Sequence, residues 1–184
     1  MGIVPTDDVI SLLTQDHEAI KERLFELEHA DPGMRGQLFW ELTEQLVRHE
    51  VGEEVVVYPA LRHEPGGEAI AEARQGEESE TEQLLARLEK LDPTTEEFLG
   101  AVRDLEAAVL AHAQKEEAEV FPLLVAHEES GYLALLGQKF KGEKLAAPTH
   151  PHPHVPDSAL AQKLVGPVTA FIDRIRDGSR QESG

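Results

Sequence analysis

Apolar residues recur at steps of three and four along most of the chain, the spacing that lines one face of an α-helix. From about Thr6 to Glu28 the seam reads Ile10, Leu13, His17, Ile20, Leu24 and Leu27. A second helix, about Met34 to Arg62, carries Leu42, Leu46, His49, Glu53 and Val56. A third, about Glu68 to Leu91, carries Ala71, Arg74, Glu78, Thr81, Leu85 and Leu88. The fourth starts near Phe98 and continues through Val102, Leu105, Val109, His112, Glu116 and Val120. Asp31-Pro32-Gly33, Glu64-Pro65-Gly66-Gly67 and Asp92-Pro93-Thr94-Thr95 separate these runs, as breakers and capping residues do. Short connections between long amphipathic helices make antiparallel neighbours. The pattern therefore predicts an all-α, up-down-up-down antiparallel four-helix bundle over residues 1–128. Pro59 and Pro122 fall late in the second and fourth helices, where each is expected to bend or end its helix.

Residues 129–184 read as an extension in three parts. A short helix, about Tyr132 to Leu145, is expected over one end of the bundle. His150, His152 and His154 then alternate with prolines, which predicts an extended polyproline strap rather than a helix, a stiff connector for which handing metal to the site is an alternative resting on His content alone. A last helix, about Ser158 to Arg176, has Leu160, Leu164, Val168, Phe171, Ile172 and Ile175 with which to return to the bundle.

The polar residues on the seams change the picture. His17, His49, Glu53, Glu78, His112 and Glu116 have mostly Leu, Ile or Val one turn away. Buried ionisable groups are costly unless paired or metal-bound. No Lys and only Arg74 shares those seams, so mutual ion pairing does not account for the set. A His and a Glu four apart on a helix are about 40° apart around the axis, so both side chains reach one point. Imidazole nitrogen with carboxylate oxygen is a donor set for iron, manganese or zinc.

The chain also writes this pair twice. His49-x3-Glu53-Glu54-x3-Tyr58-Pro59 is matched, 63 positions on, by His112-x3-Glu116-Glu117-x3-Phe121-Pro122. Asp31-Pro32 aligns with Asp92-Pro93 at an offset of 61, which carries His17 onto Glu78. The bundle is thus a duplicated helical hairpin, and its third helix should place Glu78 opposite His17. Glu82 is a weaker candidate there, because Thr81 takes the seam position. Glu117 competes with Glu116 but lies five residues after His112, about 140° around the helix and off the seam, so Glu116 is preferred.

Composition removes several classes. The chain has no Cys, which excludes disulfides, thiolate metal sites and cysteine nucleophiles. Its formal charge of −19 argues against a nucleic-acid partner. No apolar run is long enough for a membrane span, and no basic-then-apolar leader is present. Met1-Gly2-Ile3-Val4-Pro5-Thr6 matches a myristoylation pattern without the second anchor that stable attachment needs. A cytoplasmic protein, monomeric or homodimeric, is expected. The serines lack a nucleophile elbow, so nothing supports a classical hydrolase.

His17, His49-x3-Glu53 and His112-x3-Glu116, in this order on the first, second and fourth of four helices, resemble the hemerythrin-like (HHE cation-binding) family over about Asp7 to Glu128. The segment from Ala147 to Asp157, with Leu164 to Val168 after it, resembles the tail of actinobacterial members. The resemblance implies a non-heme centre of two iron ions, bridged by carboxylates and an oxo or hydroxo group, with manganese or zinc as substitutes. His17, His49, Glu78 and His112 would be terminal ligands, and Glu53 and Glu116 bridges. It also implies a small oxidant as partner: O2, peroxide or NO. The family usually has a histidine where this chain has Glu78. A carboxylate there favours oxidised iron, which tilts the expectation from reversible O2 carriage toward consuming peroxide or activating O2. The alternative is a module that senses or stores iron, O2 or NO without turnover. A substrate-specific oxygenase, roofed by the last helix, is a third reading.

Overall fold

The structure, a computed structural model, describes residues 7–127 and 130–147. Helix α1 spans Val9–His29 and starts where Asp8 accepts a hydrogen bond from the Ser11 backbone N–H (2.8 Å). Helix α2 spans Pro32–Gly52 and begins two residues before Met34, because proline suits the first turn of a helix, where the backbone N–H has no partner anyway. It runs into a widened π turn, π1 (Glu53–Val57), and then α3 (Tyr58–Leu61). Helix α4 spans Gly67–Leu88. Helix α5 (Glu96–Lys115), capped by the Thr95 hydroxyl, opens into π2 (Glu116–Val120) and α6 (Phe121–His127). Helix α7 is Ser130–Ala146.

Among the described residues there is no strand. Helix α1 packs against α2 and α5, and α4 packs against α5, giving the expected helical bundle. No described helix is long and apolar enough to cross a membrane. The strap around His150, His152 and His154 and the last helix lie outside the described residues, as does most of the actinobacterial-type tail.

Two findings differ from the expectation. The prolines do not stop their helices. The Tyr58 N–H reaches back five residues to the Glu53 carbonyl, and the Phe121 N–H does the same to Glu116. The π turn thus forms in the residues leading into each proline, whose ring would otherwise press on a regular α-turn. Helix α7, in turn, lies along the side of the bundle against α1, α2 and π1 rather than over an end. Glycines permit the approach: Phe140 sits against Gly52, and Gly137 rests on the backbone of Asp7 and Asp8. A Cβ at Gly52 would collide with the Phe140 ring. Gly→Ala in a helix interior normally gains about 0.5–1 kcal/mol. Gly52→Ala is expected to lose about 1–3 kcal/mol instead through overpacking, a sign reversal that chemical denaturation would read directly.

The apolar core is split. One cluster holds Ile20, Leu24, Leu42, Leu46, Leu85, Leu105 and Val109; the other holds Val9, Leu13, Val56, Ala71, Val120, Leu124 and Phe140. Each bundle helix passes from one cluster to the other, and the belt between them is where the seam histidines and glutamates fall.

Candidate metal centre

The belt is dry. Glu53 and Glu116 are 0% exposed, Glu78 1%, His49 4% and His17 8%, and the His112 side chain is 11% exposed. His17, His49, Glu53 and Glu116 bring one donor atom each to within 4.8 Å of one another, and Glu53, Glu78 and His112 do the same. Glu53 belongs to both groups. His49 Nε2 lies 3.2 Å from Glu53 Oε1. Glu116 Oε2 lies 3.3 Å from His17 Nε2 and 3.5 Å from His112 Nε2. All six residues read from the sequence therefore converge. Glu117 does not: its side chain is 48% exposed, and it meets His17 from the outer side. Glu82 is buried on the Glu78 helix but stands in neither group. His29 and His63 are exposed, as expected of helix-end residues.

Electrostatics at the belt are those of carboxylates short of a cation. Burial drives the Glu53 and Glu78 carboxyls well above the usual range, and neighbouring carboxylates push the same way. Burial also acts on Glu116, but His112, His17 and His49 outweigh it and hold this carboxyl at about 2. Both oxygens of Glu53, one each of Glu78 and Glu116, and Nε2 of His17 and His112 are buried without a hydrogen bond. Unsatisfied buried polar atoms are rare in folded proteins and ask for an explanation, of which an ion is one. Six such atoms pointing at one another, all nitrogen or oxygen, fit divalent metal ions.

A family model for the hemerythrin HHE cation-binding domain matches residues 8–124. The chain belongs to that family. It is also 32% identical over 148 residues to an uncharacterised hemerythrin-like protein of Schizosaccharomyces pombe, a match covering 78% of this chain and 70% of that one. A DNA nickase of Nostoc sp. is 27% identical over 138 residues, covering 74% of this chain but only 39% of the nickase. No solved structure matches. Domains of this family bind metal cations, typically iron, and the two donor groups of the belt could hold such ions.

Outward from the belt, each histidine is held by an acid; Asp16 and Glu77 were not singled out in the sequence, and Glu117 was weighed there only as a ligand. Nδ1 of His49 meets Asp16 (3.2 Å), that of His112 meets Glu77 (3.1 Å) and that of His17 meets Glu117 (2.9 Å). Such partners fix the ring and leave the other nitrogen facing inward. Two of them were legible from the repeat, because the offset of 61 that carries His17 to Glu78 also carries Asp16 to Glu77.

The departure at Glu78 is matched by another. Phe121 stacks on His17 (ring centroids 5.7 Å apart, 12° between planes). Its repeat partner is Tyr58, and the Tyr58 hydroxyl lies 2.5 Å from Glu78 Oε1 and 3.1 Å from Glu116 Oε1. Where the repeat offers an imidazole it faces a phenyl ring; where it offers a carboxylate it faces a phenol. Glu78 is thus a built, inward-facing position. Glu78→Gln is expected to weaken one ion of a metal titration by at least tenfold, with Glu82→Gln doing much less. Equal titration curves for the two variants would remove Glu78 from the site.

Proposed function

We propose that the belt holds two iron ions and that the protein consumes hydrogen peroxide. His17, His49, Glu53 and Glu116 would hold one ion, and Glu53, Glu78 and His112 the other. When bound, iron supplies the redox chemistry that side chains lack. Disproportionation balances without an outside reductant: two peroxides give one O2 and two waters. In this reading residues 1–128 are the reaction unit, residues 129–184 its extension, and the cytoplasm its location.

The cavity beside the belt carries this reading. It is lined by His17, His49, Glu50, Glu78 and His112 on one side and by Ile20, Leu46, Val109 and Leu110 on the other. Its volume is about 20 Å³, against the 10–15 Å³ or so that one water requires. A molecule the size of peroxide, O2 or NO fits there. Glu50, 4% exposed and unforeseen from the sequence, adds to the lining a carboxyl that burial keeps well above the usual range. The likeness to a nickase is not carried over, because a net charge of −19 repels a phosphate backbone.

The test is turnover. Iron-loaded protein is expected to consume many equivalents of peroxide with O2 release, while zinc-loaded protein, lacking redox chemistry, consumes none. Stoichiometric bleaching of the optical bands without O2 release would point instead to the sensing or storage module.

A further inference from the structure

We propose that helix α7, which lies beyond the family-matched residues, completes the support of one ion position, and that Lys144 is a positioning residue acting through Asp16 on His49. The inference rests on the reading that the belt holds metal ions.

The two halves of the bundle build the same outward chain by different means. In the second half His112 meets Glu77, and Glu77 meets Lys115, one turn along the same helix as His112, with Arg74 also 3.2 Å from Glu77. In the first half His49 meets Asp16, and the residue at the position equivalent to Lys115, 63 earlier, is Gly52. Helix α2 therefore has no side chain there to stand behind Asp16. Helix α7 occupies the vacated space with Phe140, whose ring also stands edge-on to His49 (centroids 6.3 Å apart). One turn on, α7 delivers the missing ammonium: Lys144 Nζ lies 2.5 Å from Asp16 Oδ1 and also contacts Oδ2. The Lys144 side chain is 26% exposed against 48% for Lys115, so the borrowed lysine is the better shielded of the two.

The effect on the ion follows from position. The ammonium holds the Asp16 carboxylate in place, Asp16 accepts the His49 Nδ1–H, and the His49 Nε2 lone pair is then aimed at the belt. Without Lys144, a carboxylate whose side chain is 17% exposed is free to turn toward water. His49 belongs to the group with His17, Glu53 and Glu116 and not to the group with Glu78 and His112. Docking of α7 is therefore coupled to one ion of the pair. Coupling of binding equilibria is reciprocal, so that ion must in turn tighten α7 on the bundle.

The experiment uses the full chain and titrates Zn2+ against a competing chelator. Wild type is expected to bind two equivalents. K144Q is expected to weaken one of them by about 10–100-fold, the effect typical of groups behind a metal-bound histidine, and to leave the other unchanged. K144R, which keeps the charge, retains most of the affinity. Amide hydrogen exchange in residues 130–147 should slow when Zn2+ is added to wild type, and this response should vanish in K144Q. If wild type binds two equivalents, but K144Q matches both affinities or α7 exchange ignores the metal, the positioning role is overturned and the metal centre stands. If wild type binds no Zn2+, the centre itself falls, and the inference with it.

Discussion

Glu53→Ala is expected to abolish binding of both ions, whereas His49→Ala and His112→Ala each remove one. Glu53 is the residue common to both donor groups, fully buried, with neither carboxylate oxygen hydrogen-bonded. No other carboxylate stands in both groups: Glu116 belongs to one and Glu78 to the other. The variant is readable through stability as well as metal content. A ligand bound at 100 times its Kd adds about 2.7 kcal/mol to the folded state. Wild type should therefore melt higher when metal is added, and Glu53→Ala should show no such rise. Elemental analysis returning two ions per chain for Glu53→Ala would dismantle the assignment of the belt.

Metal-free protein should lose stability as pH rises from about 4.5 to about 7. Burial raises the Glu54 carboxyl from an ordinary 4.5 to about 7. A folded-state pKa raised above the unfolded value means that the folded form holds the proton more tightly. Its contribution is complete below pH 4.5 and is lost as the pH passes 7, about 3 kcal/mol for this group alone. Burial raises Glu50, Glu53 and Glu78 as well, so they act in the same direction, and His17, raised by Glu116 and Glu117 against its burial, adds to it. His49, lowered by burial, opposes it near pH 6.5, and Glu116 opposes it only below pH 4.5. Metal displaces the protons of the ligands Glu53, Glu78 and His17, though not that of Glu54, so metal-bound protein should lose less stability over this window than metal-free protein. Denaturation midpoints at pH 5, 6, 7 and 8, with chelator and with metal, would show the curves diverging; parallel curves would mean that the belt carboxylates do not bind the ion.

The helices, their order and the six belt residues were legible because each rests on a short-range period: three-and-four spacing for the core, four for His49 with Glu53 and for His112 with Glu116. Glu116 against Glu117 was decided in the sequence by the same geometry, and the structure puts Glu116 inside. Tyr58 was not legible as a neighbour of Glu78. Five residues after Glu53 on a regular helix it would stand about 140° away, and only the π turn swings it under the belt. Glu50 was missed for a different reason: besides Glu54 one turn along its own helical run, it feels Glu82 on α4, and no periodicity along one helix reveals a neighbour on another. The side-on seating of α7 was hidden in Gly52 and Gly137, which read as featureless until a ring and a backbone are placed on them.

The paired π turns set different tolerances for different kinds of genetic change. A π turn holds one residue more than the α-turn it replaces, so it can be regarded as an insertion fixed in an ancestral hairpin and then copied. Losing one codon from the stretch encoding residues 54–57 would let the turn relax to regular helix and rotate everything after it by about 100°. Tyr58 would leave Glu78, and Pro59 would meet its helix in a new register. Point substitutions at Val55 or Val56 change only packing. The length of this short stretch, and of its copy at 117–120, should therefore stay constant among descendants of this gene even where a residue type in it changes.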